Sequence, residues 1–453
     1  MSALPDVMEI ETGNDGCSIL STRKNSTSSE EQKTGVKKGL SLGLASVFVV
    51  GEMAGSGVLA LPRAIADSGW GGVALLLFCC ISTLYSGIVL GKCWMILEER
   101  YDEYKKEKNR YPYPAIAYRA FGVKMQYVVS FCIDFTLIGV STVFLLLASQ
   151  LIGNLAAKWG ISFCYWILIL ALILWPLMWL GTPEDFWPAA IMALVTTVTA
   201  CVLLMVAIGK EKAASHHATY DKPDVLSFFL AFGTILFSFG GAASFPTFQN
   251  DMRDRTQFSK AASIGFGSLL LLYLPVAVMG YAVFGDNLKS DVIMSLPNSS
   301  IKSAIEVLLA LHLFFAFLLV INAPAQEFEE FFKVPNKFGW QRVLLRTGMM
   351  VLVVFIAQSI PRFGKVLNLV GGSTTTLTTA IFPCLFYLKL CSQQNPEWPE
   401  RRIPTYEKVY LWVIMVVGVV GGGIATYSAI VDIAKPESFN PPCYVNITAA
   451  GMD

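Results

Sequence analysis

The sequence predicts an all-α membrane protein of about 11 transmembrane helices whose first and sixth spans are broken. Composition carries the first half of that expectation: of 453 residues, 54% are hydrophobic and only 15% charged, too few charges to cover a water-soluble globule. Segment length carries the second. Uncharged stretches at residues 71–91, 159–183, 186–209, 225–250 and 261–285 each reach the roughly 20 residues that cross a bilayer core, and one such helix could be buried in a soluble protein but a series could not.

Taken between charged loops, the spans are expected at residues 39–61, 70–97, 125–151, 162–180, 188–209, 225–247, 261–284, 301–323, 341–360, 366–390 and 409–431. Residues 1–36 are polar and rich in Ser, Thr and Glu, so they read as a disordered cytoplasmic tail, and no apolar core follows a short basic start as in a signal peptide. Residues 37–433 then form the membrane domain, and 434–453 an extracellular or lumenal tail. Basic loop residues are retained on the cytoplasmic side. With the N-terminus inside, the inner segments collect Arg23, Lys24, Lys37 and Lys38, then Arg100, Lys105, Lys106, Lys108 and Arg110, then Arg253, Arg255 and Lys260, then Lys333, Lys337, Arg342 and Arg346, then Arg401, Arg402 and Lys408. Glycosylation sequons at Asn298 and Asn446 fall outside in that arrangement, where they are usable; Asn25 falls inside.

Several chemistries are not encoded. The ten cysteines show no C-x-x-C spacing, and Cys79 and Cys80 lie within a span, so the thiols read as packing residues. His216 and His217 sit in an outer loop without a spaced second ligand pair, which gives no metal site. There is no phosphate-cradling loop and no nucleophile elbow, and a net charge of +1 gives no reason for nucleic-acid binding. Neither an enzyme nor a cofactor is expected.

The informative residues are those that spoil a helix. The first span carries VGEMAGSGVLALP at residues 50–62, in which Gly51 and Gly55 form G-x-x-x-G, a spacing that lets membrane helices approach closely. Packing does not account for Glu52, since a carboxylate in a span is costly and usually faces a cavity or a partner. The sixth span repeats the pattern with FSFGGAASFP at residues 237–246. Five spans apart, the two segments cross in opposite directions. Interrupted segments at matching places in two halves point to an inverted-repeat transporter with substrate at the midplane. An unwound stretch frees backbone N–H and C=O groups that hydrocarbon would not tolerate but a polar substrate satisfies, and the half-helix that follows aims its N-terminal dipole at an anionic group.

GEMAGSGVLALPRAIADSGW at residues 51–70 resembles the first-helix motif of the amino acid/auxin permease family. In the expected order follow YPYPAIAYRAFG from Tyr111, SDVIMSLP from Ser290, INAPAQEFEE from Ile321 and FGKVLNLVGGSTTTLTTAIFP from Phe363. The resemblance extends over residues 37–431. It implies secondary transport of amino acids by a leucine-transporter-like fold of five plus five inverted spans with an eleventh outside the repeat. It also implies a substrate site at Glu52, Met53, Ala54, Gly55, Ser56, Gly57, Ser238, Phe239, Gly240 and Gly241. The N–H groups at Gly55, Ser56 and Gly57 would receive the carboxylate; carbonyls near Glu52, Met53, Ser238, Phe239 and Gly240 would receive the ammonium group.

Related transporters couple to sodium or to protons. In sodium-coupled members of this fold the eighth helix supplies hydroxyl ligands, whereas residues 304–321 here contain no Ser or Thr. Ionisable side chains within spans are the alternative, and Glu52, Asp134 and His312 are the candidates for carrying a coupling proton. His312 and Asp134 could equally bond within helix interfaces; Glu52, beside the break, leads. A sodium-coupled symporter, and an amino-acid sensor with little flux, stand as alternatives. Asp15 to Leu20, DGCSIL, approaches an acidic di-leucine signal with Ile in place of the first Leu, so the plasma membrane is the expected address and a lysosomal or vesicular membrane the second.

Overall fold

In the computed structural model, residues 39–106, 109, 111–179, 187–213, 218–220, 222–335, 338–435 and 441–447 are described. Each expected span is a helix or a broken pair of helices. The first is Leu42–Met53 followed by Ser56–Ser68, bent by 57° at the break. The second is Gly71–Arg100 and the third Val123–Leu155, with short helices Asp102–Lys106 and Pro112–Phe121 between them. The fourth is Phe163–Met178 and the fifth Trp187–Ala213. The sixth is Val225–Ser238 and, after six non-helical residues, Phe245–Asp251. Then come Phe258–Phe284, Ser300–Phe331, Trp340–Ser359, a tenth span over Phe363–Ser392 and the eleventh, Thr405–Ala434.

Among the described residues, eight continuous helices are long and apolar enough to cross a membrane, and the bent first span makes nine. The fourth and sixth spans complete the expected eleven but are short: at 1.5 Å per residue, the 16 residues of Phe163–Met178 cover about 24 Å of a core about 30 Å thick. The sixth is short because it breaks at Phe239. Large apolar side chains lie exposed on the outside of the bundle, among them Leu271, Phe131, Val351 and Trp412. Water would not tolerate that belt, and lipid requires it.

The sequence explains the breaks. The first half-helix ends when Ala54 turns extended after its N–H bonds to the Val50 carbonyl at 2.6 Å. Close approach then dictates glycine: a Cβ on Gly55 would lie 2.9 Å from His312 Nε2, and one on Gly57 would lie 2.8 Å from the Ser238 Cα, which is backbone and has no freedom to move aside. The first and sixth spans also meet away from the breaks, where Leu40 N–H donates to the Asp251 carbonyl (2.8 Å) and Arg253 N–H to the Leu40 carbonyl (3.0 Å). The start of one broken span is thereby tied to the end of the other.

The tenth span departs from regular α-helix. Gly371–Thr375 and Leu377–Ile381 form π-helical turns, and the Thr376 hydroxyl donates to the Gly371 carbonyl five residues back at 2.8 Å. Its Gly371 rests on the backbone of Gly233 in the sixth span, and a Cβ there would lie 2.2 Å from the Gly233 carbonyl oxygen. A widened turn beside a broken helix places Thr375 against Gly240.

The cysteines require a correction. Read as packing residues, two of them form a disulfide: Cys164, at the start of the fourth span, joins Cys443 in the C-terminal segment across 279 residues. No spacing rule could reveal a pair so far apart. Among the described residues the remaining cysteines are free, and all but Cys391 are buried. The Ser162 hydroxyl also donates to the Ile447 carbonyl. Asn298 and Asn446 are both exposed. They lie at the end of the bundle that carries the Cys164–Cys443 bridge; Asn25, His216 and His217 lie outside the described residues.

Candidate functional site

A cavity of about 220 Å³ opens at the end of the bundle where the first span begins. Five pieces of chain build it: the first half-helix (Phe48, Gly51, Glu52), the segment closing the sixth-span break (Ala243, Ser244, Thr247, Phe248), the third span (Ile133, Asp134, Leu137), the eighth (Ala316 to Glu327) and Tyr111 to Pro114. Most of the wall is apolar, so the polar groups stand out. Among the described residues that line it there are three carboxyl groups, Glu52, Asp134 and Glu327, and no Lys or Arg.

Glu52 marks the inner end of the cavity. Its Oε1 accepts the Ser244 hydroxyl at 2.8 Å, which joins the first-span break to the sixth-span break through side chains. Asp134 and Glu327 form a second group, with their carboxyl groups in hydrogen-bonding reach of each other across the third and eighth spans and the Ser130 hydroxyl bonded to Glu327. The other Asp134 oxygen, Oδ1, is buried without a partner. Glu327 is held in place from behind: its neighbour Glu329 is clamped by Arg342 at 2.9 Å and Arg346 at 2.6 Å on the ninth span, and Arg346 also donates to the Met178 carbonyl at 2.5 Å.

The two breaks themselves lie beyond the cavity, packed against each other. Met53 sits on Gly241, where a Cβ would lie 2.7 Å from Met53 Cγ, and Gly57 sits on Ser238. Of the ten expected substrate residues, the cavity reaches Glu52; Met53, Ala54, Ser56, Gly57, Ser238 and Phe239 are buried, and Gly55, Gly240 and Gly241 complete the contact between the breaks. The Met53 carbonyl, expected to face an ammonium group, accepts the Tyr273 hydroxyl at 2.6 Å, which leaves it one lone pair. Ser238 Oγ donates back to the Thr234 carbonyl at 2.8 Å. Around the breaks, Ser56 Oγ, Thr375 Oγ1 and His312 Nε2 are buried without partners. Buried polar atoms are rarely left so, and three of them lie around the meeting of the two breaks.

Of the three ion-coupling candidates, Glu52 and Asp134 share the cavity wall, while His312 stands apart. Its ring is 1% exposed and lies between the first, third and fifth spans, with Nδ1 at 3.0 Å from the Ala193 carbonyl and 2.9 Å from Thr197 Oγ1. Sequence reasoning did not single out Glu327, Ser244, Tyr273 or Thr375. Glu327 stood in plain view within INAPAQEFEE, and a carboxylate one helix turn past a proline inside a long apolar helix was the available signal.

The family described as transmembrane amino acid transporter protein matches residues 38–428. Two Arabidopsis thaliana proteins are similar along most of their length. Amino acid transporter AVT1D is 26% identical over 399 residues, 84% of this chain and 68% of its own. Amino acid transporter AVT1J is 27% identical over 404 residues, 85% of this chain and 89% of its own. Two solved structures share the fold at 11% identity. MhsT in complex with L-phenylalanine has a TM-score of 0.51 and covers 87% of this chain and 100% of its own. A mutant of the Eremococcus coleocola manganese transporter has a TM-score of 0.54 and covers 90% of each. The leucine-transporter-like fold is thereby shared with a protein crystallised with L-phenylalanine and with a manganese transporter.

Proposed function

We propose a mechanism for this chain from the premise that it belongs to the transmembrane amino acid transporter family: it is a proton-coupled amino-acid symporter working by alternating access. As a multi-pass membrane protein of that family it is a carrier of amino acids and not an enzyme. The observation that supports coupling to protons is the cavity ending on Glu52. A half-buried carboxyl group there borders both the break and the opening, so it can trade a proton with water on one side while its hydrogen bond to Ser244 senses how the two breaks are docked. The absence of Ser and Thr from residues 304–321 removes the hydroxyl ligands a sodium ion would use on the eighth span.

In this reading the substrate sits where Ser56, Thr375 and His312 hold unpartnered atoms. Its carboxylate takes the N–H groups of Ser56 and Gly57 at the start of Ser56–Ser68, together with that of Gly55, which in this structure donates to the Tyr273 hydroxyl. Its ammonium group takes carbonyls near Glu52, Met53, Ser238, Phe239 and Gly240. Asp134 is a second candidate for carrying the proton. The open cavity lies at the end where basic loops cluster, which makes it the cytoplasmic opening, with the N-terminal tail of residues 1–36 on that side and residues 434–453 outside. The Cys164–Cys443 bridge and the exposed Asn298 and Asn446 suit an oxidising, glycosylating exterior. The plasma membrane is the proposed address, ahead of a lysosomal or vesicular one.

Glu52→Gln tests the mechanism. In proteoliposomes the substitution is expected to abolish accumulation driven by a pH gradient while the purified protein stays monodisperse; full pH-driven uptake by this variant would remove Glu52 from the mechanism.

A further inference from the structure

We propose that His312 is the group that joins proton and substrate, because its Nε2 completes the carboxylate seat only when protonated. The inference rests on the symport reading and assigns within it a role that Glu52 does not fill.

The geometry is specific about which nitrogen is free. The Ala193 carbonyl can only accept, so at 3.0 Å it requires the hydrogen on Nδ1, and Thr197 Oγ1 at 2.9 Å flanks the same nitrogen. Nε2 is then a bare lone pair. It is buried, has no partner, and points at the first-span break, where a Cβ on Gly55 would lie 2.9 Å away. Gly55 is the N-cap of Ser56–Ser68, so this lone pair faces the start of a 13-residue helix whose first N–H groups have no intrahelical acceptor. Ser56 Oγ, buried and also without a partner, stands at the same start.

A neutral ring and a carboxylate cannot share that spot, because an Nε2 lone pair and an anionic oxygen repel in a place without water. Protonation reverses the sign. Nε2–H then donates a charge-assisted hydrogen bond to the carboxylate, and the imidazolium cancels its charge, so the two enter the low-dielectric seat as a neutral pair. One proton binds per carboxylate, and loss of either releases the other. Among the described residues, the titratable groups on the spans packed around the ring are engaged elsewhere or lie at the span ends: Glu52 on the first is bonded to Ser244 and Arg63 pairs with Asp67, Asp134 on the third is bonded to Glu327 while Lys124 stands at that span's start, Tyr273 on the seventh is bonded to the Met53 carbonyl, and on the fifth Cys201 is a buried thiol while Lys210 and Glu211 stand at its end. On its own span Glu306 and Glu327 lie toward opposite ends.

The test uses the full-length protein, purified and reconstituted, with binding of each of the twenty standard L-amino acids and of their amides followed by thermal shift from pH 5 to 8. For the wild type, affinity for the acids is expected to weaken up to about tenfold per pH unit between pH 5 and 7 as the ring deprotonates, while the amides, which lack the carboxylate and keep their ammonium group over that range, show no such slope. His312→Gln is expected to bind the acids on the order of tenfold more weakly and without the slope, the loss of one charge-assisted hydrogen bond. Thr197→Val, which leaves the Ala193 bond intact, is expected to keep the slope and move its midpoint; this variant and the amide comparison decide the matter if His312→Gln does not fold. A His312→Gln protein that keeps the slope, or amides that share it, would overturn the role of His312 and leave proton symport standing. A wild type whose uptake ignores the proton gradient would overturn the symport reading itself, and this inference with it.

Discussion

The two ends of the helix bundle are built differently, and the contrast bears directly on the proposed transport cycle. At the end where the first span begins, a cavity of about 220 Å³ runs in to Glu52. At the other end a recess of about 240 Å³ is lined by Gln150, Asn154, Ser290, Arg362 and neighbours, and touches neither break. That end is tied shut: Arg63, just past the first-span break, donates to the Leu288 carbonyl at 2.7 Å, the loop carrying Val292–Ser295 folds in, and the Cys164–Cys443 bridge fastens the C-terminal segment. The third span passes both chambers, with Asp134 near its start and Gln150 and Asn154 near its end. One end is acidic and open, the other polar and latched, and the proposed alternating-access cycle takes this as one of its states.

The largest expected effect comes from the breaks that both ends share. Gly57→Val would drive a side chain into the Ser238 backbone and is expected to abolish saturable amino-acid uptake while surface expression persists; unchanged uptake kinetics would show that the breaks are mere packing. Next comes the open end. Glu327→Gln removes one of two carboxyl groups that face each other and is expected to slow proton-driven uptake by about tenfold, equivalent to about 1.4 kcal/mol. A rate equal to wild type would make the acidic character of that chamber incidental.

The smallest effect belongs to the latched end. Asp291 is fully buried, its Oδ1 accepting the Ile293 N–H at 2.9 Å. Burial lifts its carboxyl to about 7, with that N–H working the other way and Glu306 adding to the rise. An acid that stays protonated to about 7 when folded, but ionises near 3.8 when unfolded, makes the folded state bind more protons, so stability falls as pH rises between those values. Asp291→Asn is therefore expected to match wild type at pH 4 and to melt higher at pH 8. Equal melting curves at both pH values would place Asp291 in contact with solvent.

Much of this was legible in residue order. Apolar length between charged loops predicted about eleven spans, of which eight continuous helices and the bent first span are long and apolar enough to cross a membrane among the described residues, because hydrocarbon thickness sets a length that composition must obey. The breaks were legible too, since Gly55, Gly57, Gly240 and Gly241 have no reason to sit in a lipid-facing helix. What could not be read was anything that depends on which faces meet. Glu327 matters because it lies opposite Asp134, on a span more than a hundred residues away along the chain, and the Cys164–Cys443 bridge spans a still longer separation. His312 was visible as a candidate, yet its meaning lies in one nitrogen being tied to Ala193 and the other aimed at Gly55. Tertiary packing chooses such orientations, and periodicity carries no record of them.

Proton symport leaves a signature of its own in flux measurements. Its most direct test is uptake of the twenty standard L-amino acids by the purified protein in liposomes loaded with a pH-sensitive dye, with proton and sodium gradients imposed separately. The account predicts that a proton gradient alone drives accumulation above equilibrium, with the lumen acidifying in step with amino-acid entry. Accumulation that follows the sodium gradient, or binding of amino acid without net flux, would contradict it.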